Sequence, residues 1–176
     1  SKGYSAIEPP TWALLLAESC RAKGFGVGIL DCGAERLSLN DSVNRIAEAD
    51  PRVVCFVMYG PNPNSGTASM TGAELLGTAL KREHPERVTC FVGSHVSALP
   101  KEVLALSCVD IVLLNEGVYA LHTLLQTDLS NSSLGKVKGI GYKKDSVPVL
   151  NQPERVVPQE RMDVDLPGYA WDLLPY

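Results

Sequence analysis

Apolar residues fall along this chain in two alternating rhythms. Mostly apolar runs at residues 27–30, 53–58, 88–92 and 109–114 are strand-length and bounded by turn residues. Between them the apolar positions take helical spacing. Trp12, Leu15, Leu16 and Cys20 follow Pro9-Pro10-Thr11 and end at Gly24 and Gly26. Val43, Ile46 and Ala47 form a second helix that Asn40 or Asp41 can cap and Asp50-Pro51 stops. A third reaches to about Glu83, with Thr71 and Glu74 fitting a capping box near its start; a short one follows Pro100, and another covers residues 118–126. The run at 53–58 is apolar at every position, which predicts a strand covered on both faces. Strands alternating with helices of this length require right-handed crossovers and a parallel sheet, so the expected fold is a doubly wound, Rossmann- or flavodoxin-like α/β domain.

After a polar loop at 128–133, residues 140–143 and 147–150 flank Asp145-Ser146 as a β-hairpin. The closing stretch, 163–176, holds two prolines, a glycine and the aromatics Tyr169, Trp171 and Tyr176, and reads as an extended connector that docks on a neighbouring domain, with Trp171 as its knob. The expected division is an α/β domain over 1–135, then a hairpin and linker over 136–176.

Composition narrows the function. With 45% hydrophobic and 20% charged residues, a 176-residue chain can bury a full core without disulfide or metal staples. A net charge of −4 without a basic stripe argues against a nucleic-acid partner. Apolar runs far below the ~20 residues of a membrane span, and the lack of a signal-peptide pattern, give the expectation of a cytoplasmic protein with no membrane partner. Cys20, Cys32, Cys55, Cys90 and Cys108 are too widely spaced for a zinc or iron–sulfur motif; the last three sit in or beside apolar runs as small buried hydrophobes.

In a parallel sheet the ligand crevice lies beyond the carboxyl ends of the strands. Here those exits carry Gly60 and Gly93, which allow close approach, and the short neutral groups of Asn62, Asn64, Ser65, Ser94 and Asn115; only Asp31 and Glu116 bring charge. Such a rim suits a large, amide-decorated ligand better than a polyphosphate. Gly24-Phe25-Gly26-Val27-Gly28 precedes a strand instead of following one, so it reads as a helix stop and not a dinucleotide fingerprint; no Walker sequence exists, and Asp31 lacks the acidic pair and lysine of a phosphoacceptor domain.

Taken together, Pro9-Pro10-Thr11-Trp12-Ala13-Leu14-Leu15-Leu16-Ala17, the strand ending in Asp31, Met58-Tyr59-Gly60-Pro61, Gly93-Ser94-His95, Asn115-Glu116-Gly117 and Pro167-Gly168-Tyr169-Ala170-Trp171-Asp172-Leu173-Leu174-Pro175 resemble the N-terminal cobalamin-binding domain of cobalamin-dependent radical S-adenosylmethionine enzymes. The resemblance covers essentially the whole chain. It implies a cobalamin lying across the strand exits, contacted by Tyr59, Gly60, Pro61, Asn62, Ser65, Gly93, Ser94, His95, Val96, Asn115, Glu116 and Gly117, with the nucleotide tail passing Gly93. It also implies a downstream radical S-adenosylmethionine domain as partner, holding a 4Fe-4S cluster and S-adenosylmethionine on a Cys-x3-Cys-x2-Cys motif that this chain lacks. Methyl transfer to an unactivated carbon is the implied reaction. The family's opening strand has no counterpart in residues 1–8.

None of His84, His95 and His122 stands in the Asp-x-His-x-x-Gly motif by which many cobalamin proteins ligate cobalt, so a bound cofactor is expected to be base-off. His84 reads as a helix-terminus residue, His122 as helix surface or rim, and His95 as a candidate contact. Tyr59 or residues around Ile7 are candidates to cover the lower face. Two rival readings stay open: a degenerate, cobalamin-free docking domain of a radical enzyme, and a flavodoxin-like domain for another small molecule.

Overall fold

Helix α1 (Thr11–Ala22) begins where Pro9-Pro10 ends, the Leu14 amide bonding the Pro10 carbonyl at 3.0 Å. Gly24, with φ +90°, turns the chain out of it, the role its sequence position predicts. The computed structural model describes residues 9–59 and 63–176, with side chains from Ser69 onward in helix α3 (Pro63–Glu83). Among the described residues five strands, β1 (Val53–Met58), β2 (Val88–Gly93), β3 (Ile111–Leu113), β4 (Ile140–Lys144) and β5 (Val147–Leu150), lie in the order β1-β2-β3-β4-β5. The first three are parallel, with Met58 beside Gly93 and Val92 beside Leu113.

The predicted hairpin forms through Asp145 and Ser146, both with positive φ as a two-residue turn requires, and its first strand pairs antiparallel with β3. The sheet is therefore mixed, with helices on both faces. Against one face lie α3 and α5 (Pro100–Leu104), closing over Phe56, Phe91, Val112 and Leu104; the rings of Phe56 and Phe91 stack at 4.5 Å. Helix α2 (Leu39–Ala49) joins that side through Val43, Ile46 and Leu80. Against the other face lie α1 and α6 (Val118–Leu125), where Leu16, Cys20, Leu121 and Leu124 meet Cys90, Val92, Ile111 and Leu113.

Several expectations are corrected. Residues 27–30 belong to no strand. Val27 and Ile29 pack with Leu14 and Ala17 of α1, and Leu30 with Val54 on the α2 side; among the described residues the segment has no ladder partner. In consequence β1, expected to be covered on both faces, keeps Val53, Val54, Cys55 and Val57 half-exposed. The last parallel strand is shorter than 109–114, because Val109 and Asp110 turn off the ladder and the Asp110 carboxylate accepts from the Thr89 amide at 2.9 Å. Ser38, not Asn40 or Asp41, caps α2 by accepting from the Asp41 amide. Helix α3 starts well before Thr71, and Ser130 caps a short helix α7 (Asn131–Leu134) inside the expected polar loop. All five cysteines are free; Cys90 and Cys108 are buried, but Cys55 shares the exposure of β1.

The connector lies back along this domain. After Asn151 donates to the Leu134 and Val137 carbonyls, the strap crosses α6 and α1, and Asp165, in α8 (Met162–Asp165), is its central anchor. Its carboxylate, 2% exposed, accepts from Tyr119 Oη at 2.6 Å, Lys23 Nζ at 3.0 Å and Arg161 Nε at 3.0 Å. Its carbonyl accepts from Ser19 Oγ at 2.5 Å, and since that uses the only Ser19 proton, His122 donates to Ser19 Oγ through Nε2 at 2.8 Å. His122 is thus buried structure and not helix surface. Further on, Ala170 N bonds Leu14 O, Arg21 grips the Asp172 carboxylate, and Tyr176 Oη reaches Asp31 Oδ2 at 2.7 Å.

Candidate functional site

The carboxyl ends of the three parallel strands deliver Tyr59, the segment 94–97 and the turn 115–117 to one rim. Asn115 (φ +56°) and Gly117 (φ +77°) both take left-handed conformations, so this turn is irregular and depends on what holds it. Four contacts meet there or support it. The Asn115 amide donates to Ser97 Oγ at 2.8 Å, Tyr59 Oη donates to the Asn115 carbonyl at 2.5 Å, Trp12 Nε1 donates to the Glu116 carbonyl at 3.1 Å, and the Val157 amide of the strap donates to Glu116 Oε1. Trp12 and Tyr59 also meet edge-to-face, with ring centroids 5.5 Å apart. Burial, then the nearby Glu116 charge, pushes the Tyr59 hydroxyl up to about 12, so it remains a donor near neutrality.

Gly117 is required by packing as well as by φ: a Cβ there would lie 3.2 Å from Leu113 and Val92 atoms. At Gly93 a Cβ would come within 2.4 Å of the Met58 carbonyl oxygen. The close approach that this glycine permits lies between neighbouring strand ends, a packing reason for glycine at this exit. Ser94, His95 and Val96 lie in the short helix α4 (Ser94–Ala98), where Ser94 is exposed, His95 half-buried and Val96 fully buried in the core beneath. Gly60, Pro61 and Asn62, like Ile7, lie outside the described residues; Ser65 is in the first turn of α3, its side chain outside that set.

The structure thus brings together Tyr59, Ser94, His95, Asn115 and Glu116 and adds three participants that sequence reasoning missed. Trp12, on the apolar face of α1, also reaches the rim. Ser97 and the strap at 154–157 carried no signal, because their roles depend on backbone groups. The strap residues Glu154, Arg155 and Val156 face the turn across a small cleft, with the Arg155 guanidinium 4.9 Å above the Tyr119 ring. Glu116, a candidate cofactor contact by sequence, holds the strap through Oε1, and α6 starts at Val118 without a side-chain cap. Among the described residues, no three His, Cys, Asp or Glu side chains converge as a metal site, and no helix is long and apolar enough to cross a membrane.

Comparison with known proteins agrees with this geometry. The chain is similar in fold to the radical S-adenosylmethionine methyltransferase TsrM from Kitasatospora setae, solved with tryptophan substrate and an S-adenosylmethionine analogue, at 16% identity and a TM-score of 0.65. It is also similar to the cobalamin-dependent S-adenosylmethionine radical enzyme OxsB, at 14% identity and a TM-score of 0.52. Each alignment covers 88% of this chain but only 29% and 22% of those proteins, respectively. No curated protein matches the chain. The family model described as B12 binding domain matches residues 4–125, more than half of the chain, and with the sheet and rim placed as above, the chain belongs to the B12-binding domain family.

Proposed function

We propose that the chain is the cobalamin-holding module of a radical S-adenosylmethionine enzyme, acting with a separate domain that carries the iron–sulfur cluster and S-adenosylmethionine. The observation that carries this reading is the rim itself. In a domain of this family, the exits of β1, β2 and β3 present Tyr59, Ser94 and Asn115, uncharged hydrogen-bonding groups, on the exposed side of a buried core. Such groups fit the amide fringe of a corrin ring and give no cluster of cations for a polyphosphate.

Tyr59, Ser94, His95 and Asn115 would face the ring; Gly60, Pro61, Asn62 and Ser65, which follow β1 in the sequence, remain candidates from the sequence alone. Cobalamin held there would supply a transferable methyl group, and this chain's part is to position it and set its surroundings. One of the two proteins of similar fold is a methyltransferase, which supports methyl transfer as the reaction of the whole enzyme. On the strap, Tyr169, Trp171 and Tyr176 are exposed aromatic surface that a separate domain could cover. The test is to mix the purified chain with hydroxocobalamin, remove free cofactor by gel filtration and record the visible spectrum. Retained corrinoid absorbance is expected; a colourless, folded protein would favour the cofactor-free docking reading.

A further inference from the structure

We propose that Glu116 is a latch coupling the strap to the cofactor rim, so that the segment 154–157 is a working part of the cobalamin site. This inference rests on the cobalamin reading above. It starts from where the Glu116 side chain goes. A glutamate directly before a helix could cap it or face a ligand; here the half-buried carboxylate turns away from α6 and accepts the backbone N–H of Val157. A carboxylate accepting an amide is among the stronger hydrogen bonds, and a buried amide that loses its acceptor keeps the full cost of its lost hydration.

The contact joins two things of different kinds. On one side is a turn with two left-handed residues, whose other supports (Ser97, Tyr59 and Trp12) come from the strand exits and α1. On the other is a strap fixed independently at both ends. Upstream, Gly139 N bonds Gln152 O at 2.7 Å and Asn151 holds the Leu134 and Val137 carbonyls. Downstream, Asp165 binds Tyr119, Lys23 and Arg161. Between these anchors, Val157 with Glu116 is where the strap hydrogen-bonds the rim turn, and beside it Glu154, Arg155 and Val156 wall the cleft that opens along Asn115–Gly117. Because both ends stay anchored, cutting the latch shifts the middle of the strap and loosens the turn without unfolding either. Whatever cobalamin gains from an ordered turn, the strap gains from bound cobalamin by the same factor, since binding linkage is reciprocal. Glu116 is on this account a positioning residue, and the strap that leads out of the domain senses whether the cofactor is in place.

The experiment uses the 176-residue chain with hydroxocobalamin, titrated by visible absorbance, and limited tryptic cutting at Arg155 with and without the cofactor. Glu116→Ala removes the acceptor, Glu116→Gln restores an uncharged one, and Val157→Pro removes the N–H donor from the strap side. Glu116→Ala and Val157→Pro are each expected to weaken hydroxocobalamin binding about ten-fold, with the double variant no worse than either alone; Glu116→Gln should recover most of the loss. Hydroxocobalamin should slow the cut in the wild type and in Glu116→Gln and leave it unslowed in Glu116→Ala. Equal affinity and equal protection in wild type and Glu116→Ala would overturn the coupling. So would a Glu116→Gln as weak as Glu116→Ala beside a neutral Val157→Pro, which would place the carboxylate on the cofactor itself. A wild-type chain that retains no hydroxocobalamin would instead overturn the cobalamin reading, and the latch with it.

Discussion

At Gly93 a single hydrogen separates the β2 exit from the Met58 carbonyl. A methyl group there would stand 2.4 Å from that oxygen, and backbone cannot yield as a side-chain tip can. Gly93→Ala is expected to cost about 1–3 kcal/mol, the usual price of overpacking, read as a lower midpoint in urea unfolding; an unchanged midpoint would mean the strand ends are free to part. The variant therefore reports on the sheet first and on any ligand second. His95 makes a complementary prediction. It is half-buried in α4, outside any cobalt-ligating motif, so the Co(II) form of bound cobalamin should show an electron paramagnetic resonance spectrum without nitrogen splitting. A three-line splitting that vanished in His95→Ala would move this chain among the histidine-ligated cobalamin domains.

Among the elements, the strap carries the clearest pH dependence. Asp165 is held well below the usual carboxylate range by Arg161, then Tyr119 and Lys23, so its stabilisation is present above its unfolded value of about 3.9 and lost as the pH falls through the folded one. His122 is shifted down, by burial first and then by Lys23, so the fold prefers it neutral; stability is full above about pH 6.5 and declines by up to about 1.4 kcal/mol per pH unit below it, until the folded value is passed. Thermal midpoints measured against pH should fall in two steps, and Asp165→Asn should erase the lower one while costing about 2–4 kcal/mol near neutrality, since Lys23 and Arg161 remain partly solvated. A single flat profile would contradict the anchor. None of this was legible in the sequence, because Ser19, Lys23, Tyr119, His122 and Asp165 come from elements far apart in the chain. What periodicity did reveal was local. The helix at Thr11, the strand at Val53 and the hairpin at Asp145-Ser146 follow from side-chain rhythm and turn chemistry. The rhythm at 27–30 was equally strand-like, but it specifies which side chains face which layer and not whether a neighbour is there to bond. Likewise the rim positions could be named from the strand exits, whereas the backbone bonds to Trp12, Ser97 and Val157 that shape the rim could not.

For the molecule as a whole, the parallel half of the sheet sets the rim, the antiparallel hairpin extends the sheet beyond β3, and the strap returns from that hairpin across α6 and α1 to Asp31. If this assembly holds cobalamin at the strand exits, backbone hydrogen–deuterium exchange with and without hydroxocobalamin will locate it there. Slowed exchange is expected at Tyr59, at residues 94–97 and 115–117 and in the strap at 154–157, with the β4–β5 hairpin unchanged. Protection confined to the hairpin or to the α2–α3 side, or no change anywhere, would contradict it.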